Sequence, residues 1–247
     1  MRAGHVSVVG IIQARMGSTR LPSKVLKTLA GRTVLGRVVR AAHESGALDK
    51  VVVATTVEDI DDEIVAECER LGVPAYRGPV DDVLTRFVGA LDEHPADAVM
   101  RFSADNPLID PEIVALACRV FRSVPGLDYL STSIKRMLPL GMDVEIIDAA
   151  TLRRIGQIAE GFHRIHVTSY AYSNPDQFRV MGLTLPPDRS QLRLTVDTED
   201  DWRLVEEAVA HFGDTSVSLQ KIVEWLAANP EIAGINSHVE QKALNQG

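Results

Sequence analysis

Short apolar segments alternate with amphipathic ones through the first half of the chain. Apolar runs that predict buried strands cover 6–12, 50–54, 74–76 and 98–102. Apolar residues recur at helical spacing in the segments that follow them, which cover 34–45, 61–71, 81–91 and 111–122. This alternation predicts a mostly parallel sheet with helices on both faces. Ligands of such folds bind beyond the carboxyl ends of the strands, so we expect the functional site at that edge.

The second half predicts a different arrangement. Strand-like segments cover 128–131, 143–147, 177–183 and 192–196, and helical ones cover 148–156, 163–174, 198–212 and 218–229. We interpret about 128–190 as an elaboration of the same domain rather than as a second one. The prediction is therefore one domain over 1–237 and a polar tail over 238–247.

Composition excludes several classes of protein. A chain of 247 residues with 45% hydrophobic residues suits a single α/β domain. The net charge of −8 argues against nonspecific nucleic-acid binding. Cys68 and Cys118 form neither a metal-binding spacing nor a disulfide framework. No apolar stretch suits a signal peptide or a membrane span, so we predict a cytoplasmic protein that does not contact membranes.

A polar loop follows the first predicted strand. Gly17 lets the backbone approach a ligand closely, and the cations of Arg15, Arg20 and Lys24 lie within ten residues of one another. Converging cations and main-chain N–H groups suit a triphosphate. The loop matches neither a Walker A motif nor G-x-G-x-x-G. A solvated basic loop is the alternative interpretation, because Gly, Ser and Arg are common in loops.

Residues 13–24, which read QARMGSTRLPSK, resemble the signature of the cytidylyltransferase family of the spore coat polysaccharide biosynthesis protein F type. That family is related to the CMP-Kdo and CMP-sialate synthetases. Further blocks resemble it in order, namely 53–56 (VATT), 77–84 (RGPVDDVL), 105–111 (DNPLIDP), 141–145 (GMDVE), 166–168 (HVT) and 195–200 (TVDTED). Several blocks in register are more specific than the first one alone.

The resemblance implies a Rossmann-like, glycosyltransferase-A-type nucleotidyltransferase domain with an inserted subregion for acceptor binding and dimerisation. It implies a Mg²⁺-dependent transfer of CMP from CTP to a small acceptor with release of pyrophosphate. The expected partners are CTP, the acceptor and a second copy of the chain in a homodimer.

The nucleotide site is predicted in the loop and in two later blocks. Arg15 and Lys24 are the candidate catalytic cations, because the triphosphate and the leaving pyrophosphate need neutralisation. The other nucleotide-binding candidates are Gln13, Ala14, Gly17, Ser18, Thr19, Arg20, Thr55, Asp81 and Arg86. Asp81 is equally typical of a helix N-cap, and Arg86 of a solvated surface.

Asp105 and Asp197 are the predicted Mg²⁺ ligands. Each follows an apolar predicted strand, and Mg²⁺ prefers hard oxygen ligands and bridges phosphates. On residue type alone, a turn or helix-cap role is the commoner one for such an aspartate. The resemblance to the family favours the metal.

Acceptor-binding candidates include Asp143 and Glu145. They alternate with apolar residues, so both face one side of a predicted strand. They bind the acceptor or support the metal in one interpretation, and face solvent in the other.

His163, Arg164 and His166 form a cationic cluster that resembles the Arg-Glu-His-Val-Thr block of the family, although Ile165 stands where Glu is usual. The cluster predicts an anionic acceptor such as an acidic sugar, a phosphate or a phosphonate. The alternative is a helix with an exposed basic face.

Two other functions stay open from the sequence. One is a nucleotidyltransferase or glycosyltransferase of the same fold that uses another nucleotide. A glycosyltransferase of this type usually carries an Asp-x-Asp motif, whereas this chain has Ser103-Ala104-Asp105 with a single acid. The other is an inactive scaffold, which has no physical need to retain all of the predicted catalytic and metal-binding residues.

Overall fold

The computed structural model describes residues 5–241. Its strands are β1 Val8–Gln13, β2 Thr28–Leu29, β3 Arg32–Thr33, β4 Lys50–Thr56, β5 Ala75–Gly78, β6 Ala98–Ser103, β7 Tyr129–Ser131, β8 Glu145–Asp148 and β9 Val180–Gly182. Within the described residues, seven of them form one sheet in the order β5-β4-β1-β6-β8-β7-β9, and β2 pairs with β3 separately. Strand β8 runs antiparallel to β6 and β7, and the other pairings in the large sheet are parallel.

Helices cover both faces of the sheet. They are α1 Val34–Glu44, α2 Asp62–Leu71, α3 Val83–Glu93, α4 Pro111–Ser123, α5 Ala149–Ile158, α6 Ser169–Ser173, α7 Glu199–Phe212, α8 Leu219–Ala228 and α9 Pro230–Ala233. Alternate residues of β1 join two apolar clusters, because successive side chains of a strand point to opposite faces. One cluster includes residues of α1, α4, α7 and α8, and the other includes residues of α3 and α5. The predicted α/β class with a mostly parallel sheet is confirmed.

The order of the strands places the site. From β1 the chain reaches β4 on one side of β1 and later β6 on the other, so the connections diverge at β1. Gln13, the last residue of β1, pairs with Ala54 of β4 and Ser103 of β6. The polar loop after β1 and the segment that holds Asp105 therefore leave the sheet at the same edge, where a crevice opens.

Two segments of the second half differ from the prediction. Residues 192–196 form no strand; Arg193 makes an isolated bridge with Leu140, and its side chain is buried against Asp201. Residues 163–174 are not one helix, because a 3-10 helix, Gly161–Arg164, ends before the short α6 begins. The apolar–polar alternation of 192–196 thus reflects the buried Arg193–Asp201 ion pair rather than strand pairing.

A smaller correction concerns the start of α3. The capping residue is Asp82 rather than Asp81, and its carboxylate accepts the N–H of Thr85 at 2.9 Å. The predicted boundary at residue 237 stays a prediction, and the part of the predicted tail from 242 onward lies outside the described residues. No helix in the described part is both long and apolar enough to cross a membrane.

Candidate active site

Two cavities open at the carboxyl edge of the sheet. The loop cavity, of about 630 Å³, is lined mainly by the loop after β1 and by the start of α3. The β8 cavity, of about 620 Å³, lies on the side of β8 and the segment before it. The residues that line both are Arg101, Ser103, Asp105, His166 and Asp197. We call these five the junction residues, because a group transferred between ligands in the two cavities crosses the space that they line.

The loop after β1 is fixed to the core by its apolar residues and by one buried carboxylate. Met16, Leu21 and Val25 are buried, whereas Arg15 is exposed. The backbone N–H of Met16 donates to Asp61 at 2.8 Å. The loop-cavity lining includes the loop residues predicted from the sequence, namely Gln13, Ala14, Arg15, Gly17, Ser18, Thr19, Arg20 and Lys24.

Asp61 is a structural support that sequence reasoning missed. It is 1% exposed, and besides Met16 it accepts hydrogen bonds from the hydroxyls of Thr55 and Thr56 at 3.0 and 2.5 Å. Thr55 is fully buried and lines neither cavity, so the structure does not place it beside a base or ribose. Its hydroxyl instead holds the carboxylate that positions the loop.

Asp81 and Arg86 do line the loop cavity. Arg86 is 2% exposed, and its Nε and Nη1 atoms have no hydrogen-bond partner among the described residues. Burial, aided by the charge of Arg15, lowers the pKa of Arg86 to about 10. A buried guanidinium with unused donors is costly unless a ligand supplies acceptors. Arg15 and Arg86 thus make one wall of the cavity strongly cationic.

Lys24 joins the two predicted metal ligands. Its ammonium donates to Asp105 at 2.7 Å and to Asp197 at 2.6 Å, across 81 and 173 positions of sequence. Burial lowers the pKa of Lys24, but the charges of Asp105 and Asp197 outweigh it and the net shift is upward. Arg20 and Arg193 each lie 3.1 Å from the second oxygen of Asp197. The pKa of Asp197 is lowered, because these cations outweigh the effect of burial.

The donor set fits a divalent cation of the magnesium type. Asp105 and Asp197 supply hard oxygens, and their side chains are 22% and 23% exposed at the junction. No group of three or more His, Cys, Asp or Glu residues that could hold a metal occurs within residues 5–241. Mg²⁺ commonly takes one or two carboxylates and completes its shell with phosphate and water. The position between the carboxylates is held here by the ammonium of Lys24, which must therefore move for a metal to bind both.

Asp143 and Glu145 both line the β8 cavity. Arg136 donates to Asp143 at 2.5 Å, yet burial keeps the pKa of Asp143 above its ordinary value. Glu145 accepts from Arg101 at 2.8 Å and from Thr168 at 3.1 Å. Each carboxylate is thus paired with an arginine. Glu145 fixes the positions of the side chains that donate to it.

The structure separates the predicted cationic cluster. His166 is a junction residue, whereas His163 and Arg164 line neither cavity. Arg164 donates to Asp82 at 2.7 Å, to Thr85 at 2.8 Å and to backbone carbonyls at the end of α5. It therefore joins α3 to α5. His163 contacts the hydroxyl of Ser169 at 2.7 Å, and burial, together with the charge of His166, lowers its pKa.

Sequence reasoning also missed Arg101 and Arg136. Arg136 gave no signal, because it lies in a segment that the sequence predicts as neither helix nor strand. Arg101 did give one, since it is the charged residue within the apolar strand AVMRFS. A charge inside a central strand has to be paired or has to face a site.

Comparison with known proteins agrees with this architecture. The cytidylyltransferase family model matches residues 9–224. The spore coat polysaccharide biosynthesis protein SpsF of Bacillus subtilis is 34% identical over 235 residues, which cover 92% of this chain and 96% of that protein. The 3-deoxy-manno-octulosonate cytidylyltransferase of Acidobacterium capsulatum is 30% identical over 246 residues, covering 82% of this chain and 96% of that one.

Among solved structures, a cytidylyltransferase from Leptospira borgpetersenii serovar Hardjo-bovis superimposes with a TM-score of 0.90 at 30% identity, over 97% of this chain and 100% of that one. The predicted nucleotidyltransferase fold is thereby confirmed. From the family match and these relatives, the chain belongs to the cytidylyltransferase family and is a nucleotidyltransferase.

Proposed function

We propose that the enzyme transfers CMP from CTP to a small, polar, anionic acceptor and releases pyrophosphate. The observation that carries the proposal is the pair of cavities, each above 600 Å³, that meet at five shared residues. Each cavity is large enough for a small-molecule ligand. A reaction between two bound molecules requires this juxtaposition.

CTP occupies the loop cavity in this proposal. Arg15 and the main chain of 17–19 face the triphosphate, and Arg86, on the same wall as Arg15, supplies donors that have no partner among the described residues. Cationic groups held on a fixed loop neutralise phosphates without reorganisation at the moment of reaction. The loop keeps its position because Asp61 holds the N–H of Met16.

A divalent cation, for which we propose Mg²⁺, is held by Asp105 and Asp197. When bound, it supplies charge neutralisation on the phosphate oxygens. With a cation between the carboxylates, the ammonium of Lys24 would be available to stabilise the charge that develops on the departing pyrophosphate.

The acceptor occupies the β8 cavity, whose lining is rich in hydroxyl groups and in arginine–carboxylate pairs. Ser133, Thr168 and Tyr172 suit a polyhydroxylated molecule, and Arg136 suits an anionic group on it. An acidic sugar has both features. One example is 3-deoxy-manno-octulosonate, which appears in the name of the Acidobacterium capsulatum relative. Arg136 and His166 therefore replace the full predicted cluster of His163, Arg164 and His166 in this role.

The transfer is a displacement at the α-phosphorus. An acceptor oxygen forms a bond to that phosphorus at the junction, and the bond from the α-phosphorus to the bridging oxygen breaks. Pyrophosphate leaves with the electron pair toward the loop, and the acceptor proton passes to water. The chain contributes alignment and charge stabilisation rather than a covalent intermediate.

A matrix of nucleotides and acceptors tests the proposal. The protein is incubated with Mg²⁺, one of CTP, UTP, ATP or GTP, and a panel of acidic sugars, sugar phosphates and phosphonates. We expect pyrophosphate release only with CTP, and a CMP conjugate of one acceptor by mass spectrometry. Preference for another nucleotide contradicts the base assignment, and turnover with neutral acceptors alone contradicts the acceptor class.

The homodimer and the cytoplasmic location stay predictions. The apolar side chains of Ile158, Phe162 and Ile165 are 42%, 46% and 40% exposed. This segment, 158–165, is our candidate for a subunit contact. Light scattering of the purified protein measures the oligomeric state directly.

A further inference from the structure

Arg101 is the charged residue of the otherwise apolar β6, and it lines both cavities. Its side chain is 23% exposed. It stands in register with Ile11 of β1 and Glu145 of β8, so it lies on the central strands of the sheet. A side chain on a central strand is held more rigidly than one on a loop.

A ladder of polar side chains fixes the guanidinium across four neighbouring strands. The Nε and Nη2 atoms of Arg101 donate to Gln13 Oε1 at 3.2 and 3.0 Å, and Nη1 donates to Glu145 Oε2 at 2.8 Å. Glu145 Oε1 in turn accepts the hydroxyl of Tyr129 at 3.0 Å. The guanidinium of Arg101 on β6 is thus hydrogen-bonded to β1 on one side and to β8 on the other, and Tyr129 of β7 supports the partner on β8.

The ladder does not use all of the donors of Arg101. A guanidinium carries five N–H groups, and the three bonds to Gln13 and Glu145 leave two without a partner within residues 5–241, one on Nη1 and one on Nη2. Two N–H groups on different nitrogens of one plane can bind two oxygens of a phosphoryl group together.

Other cations near the junction serve different positions. Lys24, Arg20 and Arg193 all contact Asp197. Arg15 and Arg86 line the loop cavity but not the β8 cavity. Among the described arginines, Arg101 is the one that lines both cavities, and the α-phosphorus, which exchanges one oxygen for another, has to lie between them.

We propose that Arg101 is a catalytic residue whose two remaining N–H groups bind the non-bridging oxygens of the α-phosphoryl group during transfer. The inference rests on the proposed function. The bond from the acceptor oxygen to the α-phosphorus forms while the bond to the bridging oxygen breaks, and Arg101 keeps its protons throughout. Fixed donors aimed at oxygens that gain charge accelerate such a step by about 10²–10³ per group.

Phosphorus NMR of bound CTP with Mg²⁺ tests the contact without any acceptor. The test protein carries Arg101→Gln and Glu145→Gln together, and its matched control carries Glu145→Gln alone. We expect the α-phosphorus resonance to differ between the two, while the β and γ resonances agree. Arg15→Gln gives the opposite pattern, because its guanidinium lies in the loop cavity. An α resonance that is the same in the double variant and its control overturns the proposal.

Transfer kinetics provide the second readout. With 3-deoxy-manno-octulosonate and the other acceptors of the panel, we expect the double variant to transfer CMP about 10²–10³-fold more slowly than Glu145→Gln, with the Kd for CTP changed by less than about 3-fold. Equal rates overturn the proposal, and so does a loss confined to CTP binding. Circular dichroism verifies folding.

If the double variant does not fold, Arg101→Lys against wild type gives the same comparison, since lysine keeps the charge beside Glu145 but not the planar pair of donors. A wild-type protein that binds no CTP overturns the proposed function, and this assignment with it. A wild-type protein that transfers CMP while the Arg101 variants match their controls overturns this assignment alone.

Discussion

Replacing Lys24 with methionine leaves two carboxylates facing one another at the junction. Breaking a buried ion pair by removing one partner costs about 3–5 kcal/mol. Asp105 and Asp197 are 22% and 23% exposed, so water screens part of their repulsion. Asp197 also keeps Arg20 and Arg193, each at 3.1 Å. We therefore expect the free energy of unfolding to fall by about 2–3 kcal/mol, which lowers the Tm of a chain of this size by roughly 5–10 °C.

Mg²⁺ without nucleotide should reverse much of that loss in the variant. The metal takes the place of the ammonium between the carboxylates, and a ligand at ~100 times its Kd stabilises by roughly 2.7 kcal/mol. In the wild type Lys24 holds that position, so Mg²⁺ alone should raise the Tm little. Calorimetric unfolding with and without Mg²⁺ measures both effects. Equal Mg²⁺ shifts in the two proteins, or an unchanged Tm in the variant, would refute the reasoning.

Lys27→Met is the matched control, because Lys27 is 34% exposed and lies 4.0 Å from its acidic neighbour Glu199. The stability contributed by Lys24 has a defined pH range, since its folded pKa is raised above 10.5. It is fully present below 10.5 and is lost as the pH rises through the folded pKa. The difference between wild type and Lys24→Met should therefore stay constant from pH 7 to 9 on this account.

Three further predictions address the metal ligands, the loop support and one remote ion cluster. Asp105→Asn and Asp197→Asn should each abolish pyrophosphate release with circular dichroism unchanged, and near-normal release would exclude their role as metal ligands. Asp61→Asn should raise the KM for CTP about 10-fold in steady-state assays, because the loop loses its anchor; an unchanged KM would contradict this. Asp214 accepts from Arg32 and Arg40 at 3.0 and 2.7 Å, which lowers its pKa to about 2. Asp214→Asn should cost about 1–2 kcal/mol in urea unfolding at pH 7. The difference from wild type should shrink as the pH falls below about 4 and vanish below the folded pKa of about 2.

The first half of the fold was predictable because its signals are local. Strands β1 and β4 are buried on both faces, so each contains a continuous apolar run, and β6 is interrupted by one charge, Arg101. Gly72 ends α2 in the left-handed region with φ of 69°, where glycine carries no steric penalty. Residues that begin or end an element in this way can be recognised in the sequence without knowing what packs against the element.

The segment 192–196 was mispredicted because its pattern has a tertiary cause. Its apolar and polar residues alternate as in a strand, but Arg193 is buried by two bonds to Asp201, at 2.7 and 3.0 Å, rather than facing solvent. Asn236 also donates to Asp201, at 2.8 Å. Alternation alone does not distinguish a polar residue in water from one paired inside the protein.

The candidate site shows the same division. The sequence predicted that the loop after β1, Thr55 and Asp105 meet at one edge. The structure brings the loop and Asp105 together there, with Asp197, whereas Thr55 is buried and lines neither cavity. The sequence did not indicate that Lys24 joins the two aspartates, since nothing local relates residues 81 and 173 positions apart. The chemical roles of these residues stay predictions until the variants are measured.

Two arginines, Arg164, which was predicted to bind the acceptor, and Arg101, which sequence reasoning missed, show what decides whether a cation is available to a ligand. Arg164 looked suitable because it lies between two histidines, yet α3 and α5 supply acceptors for its guanidinium on several sides. Arg101 was not among the predicted site residues, yet its partners among the described residues leave two N–H groups unused at the junction. Local charge density predicts neither outcome, because availability depends on how many acceptors the surrounding fold provides. A count of donors against acceptors around each arginine is therefore a better guide to anion binding in this protein than the clustering of basic residues along the chain.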